Sequence, residues 1–127
     1  MEYYGGPVVS NVEVRAVFWG AAVDPAIQGR IGDFFTQLVT SPFIDLLGEY
    51  STAGRVATAG ANIGQPGSNQ LIRRGTYAGA TTIAPAVCPA APCLVYNDQI
   101  QGELNRQIAL GLLPAPAYDA AGHPNTV

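Results

Sequence analysis

The chain has 127 residues, 48% of them apolar and 12% charged, with a net charge of −3. That length suits one domain with a modest core. So apolar and so weakly charged a composition excludes intrinsic disorder. The six basic residues are all arginine, and only Arg73 and Arg74 are adjacent. No basic face exists to neutralise phosphates, so a nucleic-acid partner is not expected. The absence of lysine excludes a Schiff-base nucleophile and a P-loop lysine. No apolar run approaches the ~18 residues of a membrane span.

In chain order, "YYGGPVVSNVEVRAVFWG" (3–20) comes first. Gly5-Gly6-Pro7 reads as a turn, since glycine permits φ > 0 and proline fixes φ. In the strand that follows, Val12, Val14, Ala16 and Phe18 fall on one face, and Glu13, Arg15, Val17 and Trp19 on the other. The strand is expected to start half-exposed and to end buried on both faces, as in a sheet covered by helices.

Asp24-Pro25 starts a helix, with Asp24 as N-cap and Pro25 at N1. Ile27, Ile31, Phe34, Phe35 and Leu38 make its apolar stripe. Gly29 and Gly32 each weaken it by about 1 kcal/mol relative to alanine. Ser41 and Pro42 restart the pattern, so a second helix is expected beyond a kink near Ser41. Residues 51–70 lack any apolar period and read as a long flexible loop. Loops of that length in compact domains tend to be functional or mobile. Within it, "GANIGQPG" (60–67) is glycine-rich but lacks the lysine of a phosphate loop.

"RRGTYAGATTIAP" (73–85) reads as a weaker strand with Tyr77, Thr81 and Ile83 on one face. A further helix is expected with Asp98 or Asn97 as its N-cap, and Gln101 in capping-box position relative to Asp98. Ile100, Leu104 and Ile108 form its buried row, Glu103 and Arg106 are spaced to pair, and Gly111 is its C′ residue. In "YDAAGHPNTV" a turn leads into what reads as the start of a strand at "NTV". The chain is thus expected to be a single domain over 1–127, forming the N-terminal part of a larger one. The fold class is α/β (α+β): a strand–helix–helix–loop–strand–helix scaffold with a mixed sheet and packed helices.

Candidate chemistry is sparse. Cys88 and Cys93 in "CPAAPC" form either a small local disulfide or two free thiols. Two cysteines do not make a zinc site, and the C-x-x-C redox spacing is not met. Paired cysteines and few charges fit an exported protein. Met1-Glu2 lacks the n- and h-regions of a signal peptide. The protein is therefore either cytoplasmic or exported by a leader lying outside this chain. The lone histidine, His123, has no nucleophile placed around it by spacing. Asp24 and Asp98 read as caps, and Asp33, Glu49 and Glu103 as helix-surface charges. Among the aromatics Tyr3, Tyr4, Phe18, Trp19, Tyr50 and Tyr77, the bland reading is packing. Tyr3 and Tyr4 precede the strand and are the candidates for a surface binding site.

Several stretches occur in a telling order. They are Tyr4-Gly5-Gly6-Pro7-Val8, the strand ending Trp19-Gly20, "SPFIDLLGEYST" (41–52), "RRGTYAG" (73–79), and "DQIQGELNRQIALGLLPAP" followed by "DAAGHPNTV". As an ordered set spanning nearly the whole chain, they resemble secreted bacterial relatives of the plant EXORDIUM, or phosphate-induced protein, family. The resemblance implies an extracellular protein whose second half is zincin-like, with zinc held by a His-Glu helix of the full-length protein. No such motif occurs in these residues, so no catalytic, cofactor or metal residue is carried over. The resemblance implies the scaffold portion of a zinc-dependent hydrolase or peptidase relative, partnered by the remainder of its own domain. The alternative is a noncatalytic extracellular protein that binds cell-wall glycan or peptide, or is structural.

Overall fold

The computed structural model describes residues 2–90 and 92–127. Strand β1 (Asn11–Trp19) leads to helix α1 (Pro25–Val39), helix α2 (Pro42–Leu47) and a 3₁₀ turn (Gly48–Tyr50). Strand β2 (Arg73–Ile83) and helix α3 (Asn97–Ala109) follow. The α/β class is as expected. β1 and β2 pair in parallel. Residues 125–127 add a short parallel lane on the other edge of β1, where Val127 N–H donates to the Glu13 carbonyl at 2.9 Å and Arg15 N–H to the Val127 carbonyl at 2.9 Å. The strand start read at "NTV" is therefore a strand pairing, and the strands pair in parallel rather than as a mixed sheet.

The ends of α1 follow from the sequence. Asp24 accepts a hydrogen bond from Ala26 N–H at 2.7 Å, and Pro25 opens the first turn. Ser41 separates α1 from α2, but its hydroxyl donates to the Leu38 carbonyl instead of capping α2. Gly111 takes φ 71° just beyond α3, as a C′ glycine does. The start of α3 differs from expectation: the N-cap is Tyr96, whose N–H is held by the Gln99 side chain at 2.9 Å. The reciprocal contact thus comes from Gln99, two residues before the Gln101 read from the pattern.

β2 spans 11 residues against the 9 of β1, and the register slips between Asn11 and Glu13 and again between Val14 and Ala16. The first slip sits at Gly75, whose missing side chain lets the Val12 carbonyl approach. The second passes through Gly79, at φ 106°. A bulge inserts one residue and turns the following side chains to the other face. Tyr77 therefore does not share a face with Thr81 and Ile83. Tyr77 stacks on Phe35 of α1, ring centroids 6.2 Å apart, and lies against Gly32. Gly79 and Thr81 open on the opposite side, toward α3. Period-two reading of β2 fails for this reason alone. The two faces read from β1 hold: Val14 pairs with Tyr77 on the α1 side, while Val17 and Trp19 face α3.

Burial departs most from the periodic pattern. The buried apolar residues are Val14, Val39, Ile44, Ala57, Ile83 and Leu113. Phe18 and Trp19 are half-buried, so β1 does not end buried on both faces. On α1, Ile27 and Phe34 are exposed while Ile31, Phe35 and Leu38 are half-buried, because the sheet beneath is only as wide as its few strands. On α3, the expected buried row is not the buried one. Ile100 is 38% exposed, whereas Glu103 and Gln107 are 3% and 1% exposed. The polar pair is tied to residues 84–86, and the apolar row faces a cleft.

Residues 51–70 carry little regular structure but many hydrogen bonds. Thr52 is buried, Thr52 and Ala53 donate to the Gln70 carbonyl, and Ala57 and Gln65 pair at 2.9 Å. The Tyr3 carbonyl accepts from Thr58 N–H at 2.8 Å, which pins the loop to the N-terminal segment.

Candidate functional site

A concavity lies between the α3-facing side of the sheet and α3. It holds about 400 Å³, within the roughly 300–1,000 Å³ of ligand sites. Its floor is Val17, Trp19, Gly79 and Thr81, and its far wall is Ile100, Leu104 and Ile108. Leu113, Pro114 and Pro116 close one end, beside Thr126 and Val127. Arg15 is its charged member. That guanidinium is already engaged by Glu13 at 2.9 Å and by the Ala78 carbonyl at 3.3 Å. The Trp19 indole N–H is satisfied by the Val87 carbonyl at 3.1 Å. The cleft is thus mainly apolar, and its Arg15, Trp19 and Thr126 side chains are engaged by protein partners.

A second cluster sits where the chain enters β1. Asp119 Oδ2 accepts from Ser10 Oγ at 2.9 Å and from Gln70 Nε2 at 2.6 Å. Asp119 Oδ1 accepts from the backbone N–H groups of Ala121 and His123, each at 2.9 Å. The His123 N–H, aided by Ser10, Gln70 and the Ala121 N–H, holds the Asp119 carboxyl at a pKa of about 2, against the opposing effect of burial. Gln70 also grips Val8 at both backbone groups, 3.0 Å to N–H and 2.6 Å to the carbonyl. His123 Nδ1 is 3.6 Å from Asp119 Oδ1. Asp119 thus touches both a hydroxyl and an imidazole. In a nucleophilic triad the histidine stands between hydroxyl and carboxylate; here the carboxylate stands between them. This arrangement fastens the C-terminal turn to the start of the sheet.

On α3, Glu103 accepts from Arg106 at 2.6 Å, as the spacing predicts, and from Gln107 at 2.7 Å. Arg106, then Gln107 and the Ala86 N–H, lower the Glu103 carboxyl to about 2. The pair is a strap for residues 84–86, not a surface ornament.

The sequence-selected residues fall apart in space. Tyr3 is turned inward: its hydroxyl donates to the Gly6 carbonyl at 2.8 Å and accepts from Gly6 N–H at 3.0 Å. That backbone N–H holds the Tyr3 hydroxyl below its ordinary pKa. Tyr4 is 61% exposed, its ring lying over Gly60. Cys88 and Cys93 lie at disulfide distance, Cα atoms 6.0 Å apart, as the disulfide reading requires. Among the described residues no group of three or more His, Cys, Asp or Glu is placed to hold a metal ion. No helix of the described residues is long and apolar enough to cross a membrane. The Ser10–Gln70–Asp119 cluster joins residues up to 109 positions apart. Its one local signal is the Asp-x-x-x-His turn, which spacing alone could not connect to Ser10.

Comparison with family models, with curated proteins and with solved structures finds no match for this chain.

Proposed function

We propose that this chain is the noncatalytic α/β framework of an exported protein of the EXORDIUM kind, and that any hydrolytic chemistry, zinc included, is carried by residues outside these 127. The observation that carries the reading is the character of the cleft. Among the described residues its lining side chains include no carboxylate, thiol or imidazole, and its arginine is already paired. An apolar concavity without acid–base groups is a surface to be covered, not a place where protons move. The placement of Cys88 and Cys93 at disulfide distance supports an oxidising compartment. The glycan-binding alternative draws less support. With the Tyr3 hydroxyl bound to Gly6, only Tyr4 of the two candidates presents an exposed ring.

The test is the protein isolated from its natural source. Recovery from the medium with Cys88 and Cys93 oxidised, and zinc only where the product is heavier than 13.2 kDa, is the expected outcome. Recovery from the cytoplasm with both thiols free overturns the reading.

A further inference from the structure

The connector from β2 to α3 is held at its two ends and not between them. At its start the Ala84 carbonyl accepts from Gln107 at 3.2 Å and from Arg106 at 3.3 Å, and Ala86 N–H donates to Glu103 at 3.2 Å. The Val87 carbonyl then accepts the Trp19 indole N–H at 3.1 Å. The next hold is at Tyr96, whose N–H donates to Gln99 at 2.9 Å. From Cys88 to Val95, no described residue hydrogen-bonds to another described residue. Cys88 and Cys93 face each other across this stretch at disulfide distance, Cα atoms 6.0 Å apart. Cys88 takes φ 57°, in the left-handed region that residues other than glycine rarely adopt. Rotation about that φ swings the peptide plane carrying the Val87 carbonyl. Trp19, which that carbonyl holds, lines the cleft.

We propose that Cys88 and Cys93 form a reversible thiol–disulfide clasp: oxidised, it keeps the Val87 carbonyl on the Trp19 indole at the cleft; reduced by a dithiol, it lets that contact go. A bond closing so short a ring, 5 positions apart, adds little loop-closure entropy to the whole fold. Exposed or strained disulfides are the ones reduced most readily. Cys93 is exposed and Cys88 half-buried, so the attacking thiolate reaches the Cys93 sulfur. The sulfur–sulfur bond breaks, Cys88 leaves as a thiolate and takes up a proton, and Cys93 is joined to the dithiol. The second thiolate of the dithiol attacks its own sulfur in that mixed disulfide. Cys93 is released and protonated, the dithiol departs as a disulfide, and the chain has gained two electrons and two protons. Freed of the ring, Cys88 leaves the left-handed region and turns the Val87 carbonyl away from Trp19. The holds at Ala84 and Ala86 do not involve sulfur, so the change stays local. This goes beyond the framework reading and does not rest on zinc or on compartment.

The experiment uses the whole chain, oxidised in air and titrated with dithiothreitol in native buffer. Alkylation and intact mass count the thiols. Trp19, the one tryptophan, reports through its fluorescence and the exchange of its indole N–H. The expected result is that both thiols become alkylatable in the folded chain and the indole N–H exchanges about tenfold faster. Amide exchange at Val14 and Ile83 stays unchanged. Reoxidation with oxidised glutathione restores the starting signal. The double variant Cys88→Ser, Cys93→Ser is expected to give the reduced protein's Trp19 signal with and without dithiol, which separates the clasp from a direct effect of the reagent. Thiols already alkylatable in the air-oxidised protein overturn the proposal. So does a bond that dithiothreitol breaks only after urea has unfolded the chain, or a Trp19 signal that ignores reduction. Faster exchange at Val14 and Ile83 on reduction also overturns it, by making the bond a staple of the sheet. No readout concerns localisation or metal, so this inference and the framework reading fail separately.

Discussion

Ser10 Oγ donates to Asp119 Oδ2 at 2.9 Å, closing a loop of 109 positions between the start of β1 and the C-terminal turn. Gln70 Nε2 reaches the same oxygen at 2.6 Å, so three distant segments meet at one carboxylate. A hydrogen bond to a charged group contributes about 1.5–3 kcal/mol, and orphaning its buried partners costs more. Asp119→Ala is therefore expected to lower unfolding free energy by about 3 kcal/mol, measured by urea denaturation. Ser10→Ala, Gln70→Ala and the double variants with Asp119→Ala should be non-additive, since all share one acceptor. Additive losses would show that the three side chains act independently.

Acid should act through the same residue. Folded Asp119 and Glu103 both titrate at about 2, below the ordinary values of 3.8 and 4.5. Between those limits the unfolded chain binds more protons than the folded one, so stability rises with pH there. The contribution is present in full above the ordinary carboxylate range and is lost as pH falls toward about 2. The melting temperature is expected to be flat from neutrality down to mildly acidic pH and to fall below it. Glu103→Gln combined with Asp119→Asn should flatten that acid limb. An unaltered limb in the double variant would place the acid sensitivity in other carboxylates.

Local chemistry was legible and long-range chemistry was not. Asp24, Pro25, Pro42 and Gly111 mark helix ends because their effects act within one turn of chain. The Glu103–Arg106 pair is legible for the same reason. The faces of β2 were misread because a bulge at Gly79 shifts parity, and a glycine in a strand does not announce which side it will turn. The row Ile100, Leu104 and Ile108 has helical periodicity, yet periodicity specifies only that the three share a face. What covers that face is set by the rest of the fold, and here it is a cleft. Tyr3 shows the converse: nothing nearby in sequence says that its hydroxyl will bridge the two backbone groups of Gly6.

Two glycines separate backbone tolerance from packing. At Gly29, in α1, an added Cβ meets nothing within 4 Å, and the backbone is ordinary helix. Gly29→Ala should stabilise by about 0.5–1 kcal/mol through helix propensity and reduced unfolded-state entropy. At Gly75 an added Cβ runs into the Val12 backbone carbonyl, which β1 holds in place. Gly75→Ala should destabilise by about 3 kcal/mol or more, since overpacking against backbone has no flexible neighbour to yield. Thermal melts of the two variants are expected to move in opposite directions. A neutral Gly75→Ala would mean the register slip between Asn11 and Glu13 is absent in solution.

The Cys88–Cys93 bond should matter little for global stability. Its partners are 5 positions apart, with Cα atoms separated by 6.0 Å. Loop-closure entropy for so short a ring amounts to about 2 kcal/mol at most. The segment it closes leads into α3, whose Glu103 accepts from Ala86 N–H at 3.2 Å and whose Gln107 donates to the Ala84 carbonyl at 3.2 Å. Those bonds hold the preceding residues without help from sulfur. Replacing both cysteines by serine should therefore lower unfolding free energy by no more than about 2 kcal/mol, with exchange quickening mainly at residues 84–96. If exchange quickened equally at Val14 and Ile83, the disulfide would instead be supporting the sheet itself, and the hydrogen bonds from α3 would be too weak to hold the segment alone.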